Sequence, residues 1–132
     1  MKAQDLERIY NRRFEGKDAY RNLVWKTLVE SFFQRYIPKG SAVLDLGCGY
    51  GQFINHIQAG GKYAMDLNPA TRGLLDRDTT FLEADCSKRW PLDDASLDVI
   101  FTSNFFEHLP SKDALTDTIR QAHRCSANSS LW

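Results

Sequence analysis

The sequence predicts an α/β fold, a parallel sheet of about four strands with flanking helices, preceded by an N-terminal helix. Three observations predict it. Four short runs, Ala42–Gly47, Lys62–Leu67, Thr79–Asp85 and Ser96–Ser103, are apolar almost throughout, as strands of a sheet covered on both faces must be. Segments of helical periodicity alternate with these runs, which requires right-handed crossovers between parallel strands. Turn and cap residues separate each run from the next segment, and no repeat of about 20–50 residues or Pro/Gly/Ser linker divides the chain. Residues 1–132 are therefore expected to form one domain, with residues 1–40 as a helical cap within it.

Taken in order, residues Lys17 to Tyr36 place Tyr20, Leu23, Val24, Leu28 and Phe32 in a helical stripe that stops before Pro38-Lys39-Gly40. After the first run, Phe53, Ile54 and Ile57 share one face of a helix, and Gly60-Gly61 ends it. Asn68-Pro69 supplies a capping side chain and a first-turn proline for a short helix reaching about Asp76. Ser111 caps the last helix, with Leu115, Ile119 and Ala122 along one side. Phe14, Phe32, Phe33 and Trp90 read as packing residues, in the core or on the surface.

Composition narrows the function classes. Lys plus Arg number 17 and Asp plus Glu 17, so the net charge of zero leaves no footprint for non-specific binding to nucleic acid or to an anionic membrane. No window approaches the length of a membrane span, and the start lacks the apolar stretch of a secretory signal, which points to a cytoplasmic protein. Cys48, Cys86 and Cys125 fall in no ligand pattern, so free thiols and no metal site are expected.

In a parallel α/β sheet, ligands bind beyond the carboxyl ends of the strands. The first run ends in Asp45-Leu46-Gly47-Cys48-Gly49-Tyr50-Gly51 and leads directly into a helix; glycines there permit positive φ and close approach of a ligand to the main chain. The second ends in Asp66, 19 residues after Gly47, near the spacing at which an acidic residue reaches both ribose hydroxyls. The third ends in Asp85-Cys86, where a carboxylate and the next backbone amide could read the amino group and a ring nitrogen of adenine. Three strand ends thus converge on an adenosine, and Ser103-Asn104-Phe105-Phe106-Glu107-His108-Leu109-Pro110 closes the other end of the pocket.

With these motifs the chain resembles a class I S-adenosylmethionine-dependent methyltransferase with a Rossmann-like sheet. VLDLGCGYG at 43–51, YAMDLNP at 63–69, FLEADCS at 81–87 and PLDDASLDVIFTSNFFEHLP at 91–110 carry the resemblance. It implies S-adenosyl-L-methionine as cofactor and S-adenosylhomocysteine as product. Gly47, Cys48 and Gly49 would line the methionine part through their backbone, with Asp45 beneath. Asp66 would hold the ribose, Leu67 would pack on adenine, and Asp85 and Cys86 would contact the adenine edge. Asn104 and Phe105 would lie near the sulfonium and amino groups, and Tyr20, Arg21 and Trp25 could cap the cofactor from above. Glu107-His108 resembles the pair in quinone-type O-methyltransferases and suggests a base or metal-ligand role, although Asn104 replaces the first acidic residue of that pattern.

Each position also has a structural reading. Asp66 and Asp85 could cap the segments after them, and His108 could cap its loop. Cys48 and Cys86 read as small backbone-contact residues rather than nucleophiles, having no basic neighbour in sequence. A nicotinamide oxidoreductase is disfavoured by Gln52 at the sixth position of the glycine fingerprint and by the helical residues before the first strand. A nucleic-acid amino-methyltransferase would show Asn/Asp-Pro-Pro-aromatic where this chain has Ser-Asn-Phe-Phe. The expected function is methyl transfer to a small-molecule or glycan-type acceptor. The alternative is a cofactor-binding remnant or interaction protein without turnover, because the C-terminal strands of the family fold are expected to be missing after the fourth strand and its helix. The apolar edge of that strand is expected to be bare and to support a homo-oligomer.

Overall fold

A computed structural model describes residues 17–127. The reading of Phe14, and residues 1–16 of the helical cap, lie outside the described residues. Helix α1, Lys17–Ser31, is followed by a 3-10 turn, Phe33–Tyr36, and strand β1, Ala42–Leu46. Helix α2, Gln52–His56, then leads to β2, Gly61–Asp66, and a 3-10 turn, Pro69–Leu74, to β3, Thr79–Glu83. Strand β4, Val99–Phe101, a 3-10 turn at Phe106–His108 and helix α3, Lys112–Cys125, complete the order. All pairings are parallel and the strand order is β3-β2-β1-β4, so the order reverses between β1 and β4.

Strand β1 is apolar apart from Asp45 because both its faces are covered. Val43 packs with Val29, Phe53, Ile54 and Ile57 against α1 and α2, while Leu44 and Leu46 join Met65, Trp90, Leu97, Ala122 and Cys125 beneath α3. Alternation along the strand puts Asp45 on the Val43 side, toward α2. Asp98 locks the first register: its N–H donates to the Ala42 carbonyl at 2.9 Å, and its carboxylate accepts the Ala42 N–H at 2.8 Å.

Several elements differ from expectation, for reasons the packing supplies. The single helix expected over Lys17–Tyr36 ends at Ser31, where Phe32 departs from helical angles (φ −125°, ψ −67°). Its predicted stripe does not face the core: Tyr20, Leu23, Val24, Leu28 and Phe32 are all exposed, and the buried side is carried by Val29, with Trp25 and Phe33 partly covered. Helix α2 stops well before Gly60, because Ile57 is already extended (φ −72°, ψ 141°) on its way into the core. Asn68 does cap its turn, accepting the Ala70 N–H at 3.1 Å, but the turn is 3-10 and closes at Leu74. Ser111 caps α3 through the Ala114 N–H. That helix buries Ala114, Thr118, Ala122 and Cys125 and leaves Ile119 41% exposed, so small residues rather than the largest ones face the sheet.

The fourth run forms a strand of only Val99–Phe101. Its outer edge is not wholly bare: Ser126 bridges Leu97 in parallel, with the Ala127 N–H on the Leu97 carbonyl at 2.7 Å. Trp90, expected as packing, is buried and donates its indole N–H to the Cys86 carbonyl at 2.7 Å.

One side chain makes several of the bonds that hold the long connection between β3 and β4. Arg124, near the end of α3, donates to the carbonyls of Leu92 and Trp90, to the Asp94 carboxylate and to the Gln121 side-chain oxygen. The guanidinium suits this task because its donors are fixed in one plane. Replacing it by a methionine of similar length leaves two carbonyls without their charged donor. Arg124→Met is expected to lower stability by about 2–3 kcal/mol, read as a fall in urea midpoint at constant slope.

Candidate functional site

The glycine turn after β1 is built on three left-handed residues, Gly47, Gly49 and Gly51, at φ 71°, 53° and 73°. Its amides turn inward. The N–H groups of Gly47 and Cys48 both donate to the Met65 carbonyl at the end of β2, at 2.9 and 3.1 Å, and the Gly49 N–H donates to the Asp66 carboxylate at 3.0 Å. The second oxygen of Asp66 accepts the Asn68 N–H at 3.0 Å. One carboxylate therefore joins the turn after β1 to the turn after β2, and its remaining lone pairs border a cavity. A phosphate cradle needs free main-chain N–H groups aimed outward. This turn has committed four of them to the protein itself, the Gly51 N–H donating to the Cys48 carbonyl at 2.8 Å.

Beneath the turn, Asp45 is buried against the start of α2. Loss of hydration raises its carboxyl to about 7; the Ile54 N–H opposes that shift, and the nearby Asp66 charge reinforces it. Such a group stands half ionised at neutral pH and becomes a good partner for a cation. The Cys48 thiol is pushed far up by burial and by the charges of Asp45 and Asp66, and burial also raises Cys86, which shares a hydrogen bond with Thr118. All three cysteines are free and buried. The protonated thiols of Cys48 and Cys86 serve as small wall residues of the cavities, while Cys125 belongs to the core beneath α3.

Two adjoining cavities occupy the strand ends. The first, about 580 Å³, lies under α1 at the ends of β1 and β4; Asp45, Gly47, Cys48 and Gly49 meet Arg21, Trp25, Asn104 and His108 there. The second, about 260 Å³, lies at the ends of β2 and β3 and is lined by Asp66, Leu67, Asp85, Cys86 and Phe105. Gly47 and His108 border both. At the third strand end, the Ser87 hydroxyl and N–H bond one oxygen of Asp85 at 2.7 and 2.9 Å and hold its carboxyl below the usual range. Asp85 thus caps its own turn and borders the cavity as well.

The fold brings most of the residues singled out in the sequence to one groove. Tyr20 is 72% exposed and borders neither cavity. Glu107 lies outside both linings, its carboxylate 3.8 Å from the exposed His108 ring. The aromatic floor of the first cavity was missed: Phe53 and Phe101 stack at 3.7 Å between ring centroids, nearly parallel, with Trp25 edge-on to Phe101. A large aromatic at the last position of β4, beside the motif residues, was the available signal. No cluster of His, Cys, Asp and Glu able to hold a metal occurs among the described residues.

Comparisons with known proteins bear on this groove. No curated protein matches the chain by sequence. Among solved structures, a TehB-like SAM-dependent methyltransferase from Corynebacterium glutamicum superposes with a TM-score of 0.63 at 20% identity, over 83% of this chain and 64% of that one. A SAM-dependent methyltransferase from Thermotoga maritima gives 0.62 at 18%, over 90% and 52%, and one from Archaeoglobus fulgidus 0.63 at 21%, over 89% and 52%. The chain therefore spans between half and two thirds of the length of these structures. A family model described as a methyltransferase domain matches residues 44–129, which contain the glycine turn, Asp66, Asp85 and the segment after β4. The chain belongs to the methyltransferase-domain family, whose cofactor is S-adenosyl-L-methionine.

Proposed function

We propose that this chain binds S-adenosyl-L-methionine across its two cavities and serves methyl transfer to a small-molecule or glycan-type acceptor in the cytoplasm. The observation that carries the reading is the inward-turned glycine loop over a buried, half-ionised Asp45: it disfavours a phosphate and suits a ligand with a positive centre. When bound, the cofactor supplies a methyl group on a positively charged sulfur. The second cavity takes the adenosine, Asp66 offering its free lone pairs to the ribose hydroxyls and Asp85 and Cys86 facing the adenine edge. Gly47 to Gly49 and Asp45 border the methionine part, with Arg21 and Trp25 above.

The chain's contribution is chiefly orientation in a dry, apolar-floored pocket, a term worth about 7–11 kcal/mol when geometry is held well. The stacked rings of Phe53 and Phe101 provide that floor. His108 borders both cavities, within reach of an acceptor hydroxyl or amine whose proton it would take, and the Glu107 carboxylate lies 3.8 Å from its ring. Zero net charge supports a small acceptor over a nucleic acid.

Three outcomes are expected. Calorimetric titration of the folded protein with S-adenosylhomocysteine gives heat, and Asp66→Ala weakens binding by about 1–3 kcal/mol; a heatless titration removes the cofactor reading. Asp45 carries a folded-state pKa raised to about 7, so it ionises as pH rises through that value, and a nearby sulfonium favours the ionised form. The affinity for S-adenosylmethionine relative to the uncharged-sulfur product is therefore expected to increase between about pH 6 and pH 8, and Asp45→Asn to flatten that profile. Once an acceptor is found, His108→Gln is expected to lower kcat by about 100-fold or more and to remove the acid limb of the pH–rate profile; a full rate in that variant would leave the base role without support.

A further inference from the structure

Helix α1 is held to the rest of the fold by a narrow contact. Val29 is its one buried residue among those described, with Trp25 half-buried against Phe101. A helix of 15 residues is marginal by propensity alone and depends on an apolar face being covered. The larger apolar face of α1 points the other way. Tyr20, Leu23, Val24 and Leu28 recur at helical spacing, and Phe32 and Tyr36 carry the row past the end of the helix, their rings 5.4 Å apart. Exposure along this face runs from 37% at Val24 to 72% at Tyr20. At about 150–250 Å² for a fully exposed large side chain, the six leave roughly 650 Å² of mostly apolar surface in water. The largest apolar patch of a typical monomer is smaller, about 300–600 Å².

Size and symmetry both suit a second copy of the chain. A standard interface buries about 800 Å² on each partner, somewhat more than half of it apolar, so this face meeting its own copy is large enough. The row Tyr20-Val24-Leu28-Phe32 repeats every fourth residue and is symmetric about its midpoint. A two-fold axis there runs the helices antiparallel and sets Val24 of each chain on Leu28 of the other, and Tyr20 on Phe32. Thr27 and Ser31 lie between these residues and are small enough to let the helices approach; the Thr27 hydroxyl donates to the Leu23 carbonyl at 3.0 Å, so covering it strands no donor. We propose that the exposed face of α1 is a homodimer interface, two copies packing this row antiparallel about a two-fold axis. Self-association then belongs to α1 and not to the edge of β4, where the Ala127 N–H already takes the Leu97 carbonyl. Because Arg21 and Trp25 of the same helix border the first cavity, the second copy also braces one wall of that cavity.

The test is sedimentation of the full chain from about 1 to 100 µM, with light scattering for the mass. The wild type is expected to pass from one chain to two across that range, and its thermal midpoint to rise with protein concentration. Val24→Glu brings a charge to the centre of the row and is expected to raise the dissociation constant at least about tenfold. Leu28→Ser, a milder change, raises it about threefold or more and carries the comparison if the glutamate variant lacks a cooperative thermal transition. Ile119→Glu, at an exposed apolar position of α3, leaves it unchanged. A mass of one chain at every concentration overturns the proposal, and a lowered thermal midpoint in the monomeric Leu28→Ser variant then assigns the face to residues 1–16 of the same chain. A dimer that both α1 variants leave intact overturns it as well, as does one that Ile119→Glu weakens by the same factor. Assemblies that grow beyond two chains rule out the closed two-fold pairing.

Discussion

The site depends on one junction, the bonds that tie the turn after β1 to the end of β2. The Met65 carbonyl accepts from Gly47 and Cys48, and the Asp66 carboxylate accepts from Gly49 and Asn68. These bonds dictate the left-handed path of the loop, and glycine takes that path without a β-carbon penalty. They also decide which ligands the loop can recognise. With four amides used internally, the turn presents bare main chain and a nearby acid instead of an array of donors, so its chemistry favours a cationic ligand over an anionic one.

Parallel pairing on both sides of β1 brings the other contributors to the same place. Because β2 and β4 flank that strand in matched register, the residues just after all three strands leave the sheet on one side. Burial then tunes the chemistry of those residues. Asp45 loses hydration under the loop and titrates near neutrality, whereas Asp85, at an open turn with two Ser87 donors, stays ionised far below it. Two carboxylates at neighbouring strand ends thus differ in charge at pH 7 through their surroundings alone.

Much of this was legible because motif and element coincide at strand ends. Asp66, Asp85, Gly47 and the Asn104–His108 segment are local in sequence to the strands that place them, and strand alternation with glycine-rich turns is a strong signal. Helix orientation was not legible in the same way. The stripe Tyr20-Leu23-Val24-Leu28-Phe32 satisfies helical periodicity, yet the sheet takes the opposite side of α1, where Val29 and Trp25 reach Phe53 and Phe101. In α3 close approach to the sheet selects Ala114, Thr118 and Ala122 over the larger Ile119. Periodicity marks which residues share a face; it does not state which face the rest of the chain will cover.

By itself the sequence determined the α/β class, the order of the strands along the chain and the acids and glycines that stand at their ends, since these arise from local patterns of apolarity and turn chemistry. Only the tertiary structure decided that the loop amides point inward, that Asp45 is desolvated, that Arg124 holds the β3–β4 connection, and that the Phe105 ring lies on Gly47. Each of these joins residues distant in sequence. Contacts of that kind carry no local periodicity or turn signature, so they appear only when packing brings the segments together.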